Sequence, residues 1–397
     1  MPFTAHPDLL FIYKTPNWFS HGDWNAYQTL AEEKNAGYYP PLALLLFAGS
    51  QVVTRFFFSG YDEFIQTIGT VPTKILFNSE HLFQSLFLMK MPYLVFEFFL
   101  IALFLKMLPD EKNKTTFVLF WSVNPIVIYG AYMAGQLSLI PAATVAASCY
   151  FCLQPGKERY ACLALGFGFL FKVFPIIFLP MVLCIVSKTM KDLLTHSLWA
   201  IVPIAVLYGG FYIVSGPAVF KIFSVGGISF ATNLKPDFGN VALRIIQIGV
   251  YILVCRRIFF RSGGEMNYSI LLKYFLIIYI ALTWSALLSS THYMIWFMPF
   301  LIAFITRRRE WVFSYYGLII VIFLAGLKSR ASCFGIFRSL EPETFMSLPS
   351  VMEAAGVLFP LDVYYTTLSL VFKAATGCIA LVALRERHHI RGIYAKI

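Results

Sequence analysis

The sequence predicts an all-α fold: a polytopic membrane protein with about ten to twelve membrane helices. Composition, unbroken apolar runs and charges confined to connectors carry that expectation. Of the 397 residues, 59% are hydrophobic and only 13% charged, against about half and about a quarter in soluble domains. Mean hydropathy is +0.72. The apolar runs are continuous and approach the roughly 20 residues that a bilayer-crossing helix needs. A β-barrel would show short alternating segments instead. The net charge of +11 sits in short loops, which reads as topology and contact with anionic lipid, with no nucleic-acid partner.

In chain order, residues 1–40 are mixed and polar, with proline at positions 2, 7, 16 and 40. Residues 41–58 are apolar but begin with proline and contain Arg55, and 60–81 read as loop. Spans are expected near 88–108, 116–134, 138–153, 160–187, 197–215, 241–260, 268–288, 293–305, 311–327 and 361–383. The resulting division is 1–87, an outer-face loop with a juxtamembrane helix, and 88–397, the transmembrane domain. Most of the seven cysteines lie inside apolar runs without metal-ligand spacing, so they read as packing residues. No signal peptide is recognised at the start. No internal repeat is found, which gives an inverted-repeat transporter no support.

Basic connectors occur at Lys106/Lys112/Lys114, Lys157/Arg159, Lys188/Lys191, Arg256/Arg257/Arg261, Arg307/Arg308/Arg309 and Arg385/Arg387/Arg391. All become cytoplasmic if 41–58 does not fully cross and 160–187 folds back as a hairpin bent near Lys172 and Pro175. Asp23, Tyr39-Pro40-Pro41, Lys90, Gly135-Gln136, Lys172, loop 216–240 with Lys235, and Ser289 to Tyr293 then share the outer face.

Chemistry follows from that collection. Asp23, in His21-Gly22-Asp23-Trp24, is a candidate base for a sugar hydroxyl; by itself a loop acid is more often a solvated carboxylate or a helix cap. Asn124-Pro125 should bend the helix that leads to Gly135-Gln136, where Gln136 can bond a sugar or phosphate. Lys172, in Phe171-Lys172-Val173-Phe174-Pro175, places a cation among apolar residues, which calls for a partner such as a lipid-linked phosphate. His292 can donate to phosphate or sugar, while Tyr293 and Trp296 conform to an interfacial aromatic belt. Lys90 and Glu97 are expected to pair structurally. The tail histidines His388-His389 read as part of an orientation signal. The chain has no phosphate-binding Gly-x-x-x-x-Gly-Lys-Ser/Thr loop and no Gly-x-Gly-x-x-Gly turn. An activated sugar donor would therefore have to reach the site from the membrane.

Taken in order, these motifs resemble the GT-C superfamily of polyprenyl-phosphate-sugar-dependent glycosyltransferases. Within it they are most similar to the GPI mannosyltransferase I and bacterial polyprenyl-phosphate-mannose mannosyltransferase type. Asp23 with Tyr27, Tyr39-Pro40-Pro41-Leu42, Asn124-Pro125 before Gly135-Gln136, Phe171 to Pro175 with Leu179-Pro180, and His292-Tyr293 before Trp296 carry the likeness. The resemblance implies an inverting transfer of a hexose, expected to be mannose, to a lipid-linked or glycolipid acceptor at the lumenal or periplasmic face. Asp23 would be the base, and Tyr27, Tyr39, Gln136, Lys172, Lys235, His292 and Tyr293 would bind substrate. No cofactor is required, and a divalent metal is compatible but not indicated. The membrane would be endoplasmic reticulum or bacterial plasma membrane. Ser138 stands where family members often carry aspartate, and the apolar helix that usually precedes the acidic loop is not expected here. A lipid-linked sugar flippase or transporter and a non-catalytic membrane subunit are the alternatives.

Overall fold

The computed structural model describes residues 3–32, 39–68, 76–223, 238–260, 266–286, 291–326, 333–356 and 360–385, all helical or irregular and without strands. Lys235, Asp237, Ser289, Ser290 and the His388-His389 tail lie outside these residues, as does the side chain of His292.

The first helix, α1 (Pro7–Ser20), arises where the prolines suggested irregular chain. Pro7 takes the first turn, where a missing N–H costs nothing. His6 caps the helix: its Nδ1 accepts from the Asp8 N–H at 3.2 Å. Asp8 lies in the first turn, the favourable end of the helix dipole for an acid. After the short α2 (Ala26–Glu32), helix α3 (Pro41–Phe57) packs on α1 and runs parallel to it. The ties run in order: Gln51 Nε2 donates to Tyr13 O (2.8 Å) and an Arg55 Nη to Ser20 O (2.9 Å). A further helix, α4 (Gly60–Thr67), occupies part of the stretch expected as loop. Its Asp62 receives His21 Nε2 at 3.0 Å and Arg55 Nε at 3.9 Å, which anchors the far end of α1.

Among the described residues, three helices are long and apolar enough to cross a membrane. They are α5 (Leu82–Met107) and two later in the chain. A bent pair, α6 (Glu111–Ser122) and α7 (Pro125–Met133), makes a fourth if counted as one span, with a 48° angle between its halves. The bend sits at the expected Asn124-Pro125. Asn124 Oδ1 accepts from the Ile126 and Val127 N–H groups (2.8 and 3.2 Å), and its Nδ2 donates to Tyr315 Oη (2.7 Å). The second half ends in a widened π-turn over Ile128–Met133, a feature frequent at functional sites.

Helix α8 (Leu139–Phe151) is buried on nearly every side and packs against α5 and α9 (Glu158–Phe171). Its Ala142, Ala143, Ala146, Ala147 and Ser148 allow the close approach that membrane helices use in place of a hydrophobic driving force. The expected break in the 160–187 run is present. The helix is interrupted at Lys172, in extended conformation (φ −161°, ψ 140°), and resumes in α10 (Phe174–Val186), whose first part, Phe174–Phe178, is a 3-10 turn. Gly168 makes this possible: a Cβ there would collide with Thr144 and Pro175.

The second long span is α11 (Met190–Phe220), opened by a capping box in which Thr189 Oγ1 accepts from the Asp192 N–H (3.1 Å). Then come α12 (Phe238–Phe259), α13 (Tyr268–Ala286), the 3-10 turn Thr291–Trp296, α14 (Met298–Ile305) and α15 (Val312–Gly326). Two short helices, α16 (Pro342–Ser347) and α17 (Val351–Gly356), precede α18 (Leu361–Arg385), whose Thr366–Arg385 portion is the third long span. Several other apolar helices have 10–17 residues, among them α3, α8 and α15. One buried core joins Leu9, Tyr13 and Phe47 to Phe104, Phe275, Phe300 and Phe372, so residues from both sides of position 87 pack together.

The expected Lys90–Glu97 pair is not formed. Lys90 Nζ donates to Thr4 O (2.6 Å) and Thr4 Oγ1 (2.8 Å), while Glu97 accepts from Trp121 Nε1 (2.7 Å). The ammonium turns toward the first residues of the chain, where the Thr4 carbonyl and hydroxyl both accept from it.

Candidate functional site

Four predicted residues meet on one face: Gln136, Lys172, Tyr39 and Tyr293. The acid that joins them is Asp8. Gln136 Nε2 donates to Asp8 Oδ2. Gly135, at φ +63°, turns the chain after the π-turn, and its carbonyl is held by Tyr93 Oη at 2.7 Å. A side chain at position 135 would strike Leu9, so glycine serves both the turn and the closeness of α1.

Lys172 closes α9, its N–H donating to Gly168 O (2.9 Å) and its Nζ to Ser138 Oγ (3.4 Å). The ammonium lies 4.5 Å from the Tyr293 ring centre and 5.2 Å from that of Trp296. These are cation–π distances that steady a charge without neutralising it. Asp8 acts electrostatically on Lys172, Tyr39 and Tyr293. Even so, Asp8 and Lys172 make no direct ion pair; the carboxylate lies 3.4 Å from His6 Nδ1, which is unprotonated as the helix cap. Trp296 stacks on Phe174 (3.7 Å between centres), and its indole N–H is buried without a partner. Such a donor is costly unless something completes it.

Tyr27 serves this face indirectly. It is fully buried, and its hydroxyl donates to Tyr39 O at 2.7 Å, so it supports the Tyr-Pro-Pro edge. Burial raises the pKa of both phenols, which keeps them neutral donors. Asp23 is not brought to this cluster. It lies past the other end of α1, on an exposed turn after Gly22 (φ +87°), with Oδ1 accepting from the Asn25 N–H at 3.0 Å. From Asp8 to Ser20 alone the helix rises roughly 18 Å. Lys235 and the His292 side chain fall outside the described residues, so neither is assigned a position.

Asp8, Ser138 and Trp296 are what motif reading missed as site residues. The signal for Asp8 was a His-Pro-Asp start, which matches a helix N-terminus. Among the described residues, no group of three or more His, Cys, Asp or Glu side chains could hold a metal ion.

The elements thus define a helical protein with apolar helices able to cross a membrane and one polar face built from α1, the α7–α8 junction, the α9–α10 break and the 291–296 turn. No family model, curated protein or solved structure matches the chain.

Proposed function

We propose that this protein is a multi-pass membrane glycosyltransferase that moves a hexose, mannose by the resemblance, from a polyprenyl-phosphate donor to a lipid-linked or glycolipid acceptor. The observation that supports it best is the unpaired arrangement of Asp8 and Lys172. A carboxylate and an ammonium share one polar face, interact electrostatically, and leave their direct contact unmade. A sugar phosphate between them would satisfy both.

In this reading the acceptor hydroxyl oxygen attacks the anomeric carbon, and Asp8 takes its proton. The C1–O bond to phosphate breaks, and the prenyl phosphate departs with the bonding electron pair. A single displacement inverts the anomeric centre. Lys172 neutralises the leaving phosphate, and the free Trp296 N–H is a donor for it or for the sugar. Gln136 orients Asp8, and Tyr39 and Tyr293 line the sugar. Because a lipid phosphate is a good leaving group, positioning and charge stabilisation supply most of the acceleration. The role assigned by resemblance to Asp23 passes to Asp8 here, because Asp8 is the acid next to Gln136. The shorter apolar helices, paired or broken at proline, complete the ten to twelve crossings in the proposed membrane arrangement.

The test is transfer of radiolabelled hexose in proteoliposomes supplied with prenyl-phosphate hexoses, with the product anomer read by glycosidase sensitivity. An inverted product from one hexose donor is expected. A retained configuration rejects the single displacement, and no transfer from any such donor rejects the enzyme.

A further inference from the structure

Arg338 is a buried charge that the transfer reading leaves unused. It follows the 3-10 turn Phe334–Phe337 and is 8% exposed. Its guanidinium lies 5.0 Å from the centre of the Phe77 ring, and its Nε has no hydrogen-bond partner. Among the described residues no carboxylate stands within ion-pair distance of it, the salt bridges lying elsewhere. Two backbone-directed bonds fix its neighbours: the Ala5 N–H donates to Ile336 O (2.9 Å), and Ser339 Oγ donates to Phe3 O (2.7 Å). They draw residues 3–6 alongside, and His6 comes within electrostatic range of Arg338. Burial lowers the Arg338 pKa to about 10, which leaves it charged at neutral pH.

A largely buried guanidinium without a counter-charge is expensive, more so in a membrane protein. Lys172 touches Ser138, Tyr293 and Trp296, whereas Arg338 lies over Phe77 with His6 in electrostatic range, and the two sets share no residue. The planar fork of arginine suits a phosphate oxyanion better than a point charge does.

We infer that Arg338, with His6 beside it, binds a phosphate mono- or diester at a second position, distinct from the one at Lys172. The anion site stands without the transfer reading; its meaning as a second phosphate in a transferase rests on that reading. Two phosphates then flank Asp8, one from the donor and one from an acceptor that carries its own.

The test uses the full chain in a maltoside detergent, with inorganic phosphate titrated against chloride at matched ionic strength and the thermal unfolding midpoint as readout. Phosphate is expected to raise the midpoint in wild type and in Lys172→Met alike. Arg338→Met should weaken the response about tenfold or more, as loss of a charge-assisted contact does, and Arg338→Lys should recover part of it. If Arg338→Met does not fold, His6→Asn, which keeps a capping side chain, carries the comparison and should weaken the response severalfold. Equal midpoints in phosphate and chloride overturn the site, as does a response abolished by Lys172→Met or untouched in the Arg338 and His6 variants. A second arm identifies the source. Competition with inorganic phosphate in Lys172→Met by a glycerophosphodiester supports the acceptor assignment, and competition only by a ten-carbon prenyl phosphate overturns it in favour of the donor. Because the readout is binding, a chain inactive in transfer can still pass, so the two readings fail separately.

Discussion

Asp8 owes its place to the residues on either side of it in sequence and space: His6 caps the helix that carries it, and Gln136 holds its carboxylate. The cap needs an unprotonated Nδ1. Burial pushes the His6 pKa below its usual 6.5, Asp8 opposes that, and Arg338 adds to it. The folded state therefore takes up the proton less readily than the unfolded chain. Stability from this group is complete above about pH 6.5 and declines as pH falls through the lowered folded value. The thermal midpoint should accordingly drop more steeply between pH 7 and 5 in wild type than in His6→Asn; parallel curves would remove His6 from the acid response. For Lys172, loss of the ammonium in Lys172→Met should cut transfer about 10- to 100-fold, the worth of a charged hydrogen bond of about 1.5–3 kcal/mol. A variant with unchanged turnover would take Lys172 out of the mechanism. Lys172, Gln136, Tyr39 and Tyr293 were legible in the sequence because each interrupts an apolar run or opens one. Asp8 was not, because four prolines made residues 1–40 look irregular, although Pro7 is an ordinary helix starter.

At the scale of elements, the site depends on two breaks. The first is the α6–α7 bend, where Asn124 satisfies the backbone N–H groups exposed by Pro125 and also reaches Tyr315. Asn124→Ala should cost about 1–2 kcal/mol, the range for a lost helix cap, and lower the thermal midpoint. It should also weaken donor binding, since Gln136 follows that helix. The second is the α9–α10 break, where Gly168 lets Pro175 approach. Gly168→Ala should displace Lys172 and reduce transfer more than it reduces stability; a loss in stability alone would leave the break a packing feature. Both breaks were readable from Asn124-Pro125 and from Lys172 near Pro175, because proline removes a helix hydrogen bond wherever it falls. The Lys90–Glu97 pair failed because helix spacing says nothing about a distant acceptor. Thr4, 86 positions away, supplied two.

Over the whole molecule, composition made the helical, apolar character legible, since it depends only on averages. The number of spans was less so. Among the described residues, three helices meet the length and hydropathy of a crossing, and four do if the bent pair counts as one. Several others, such as α3, α8 and α15, are apolar but only 10–17 residues long, and α10 carries Pro175 and Pro180. The acid was the other limit: motif order pointed to Asp23, whereas the parallel packing of α1 on α3 carries Asp8 to the Tyr39 end and leaves Asp23 at the opposite end. The most direct measurement compares Asp8→Asn with Asp23→Asn in purified proteoliposomes at equal folded protein, scoring hexose transfer from a prenyl-phosphate donor. We expect Asp8→Asn to lose about 10²- to 10⁴-fold in rate, as removal of a general base does, with Asp23→Asn within about threefold of wild type. An Asp8→Asn enzyme that keeps wild-type turnover, or a loss confined to Asp23→Asn, would contradict the site described above.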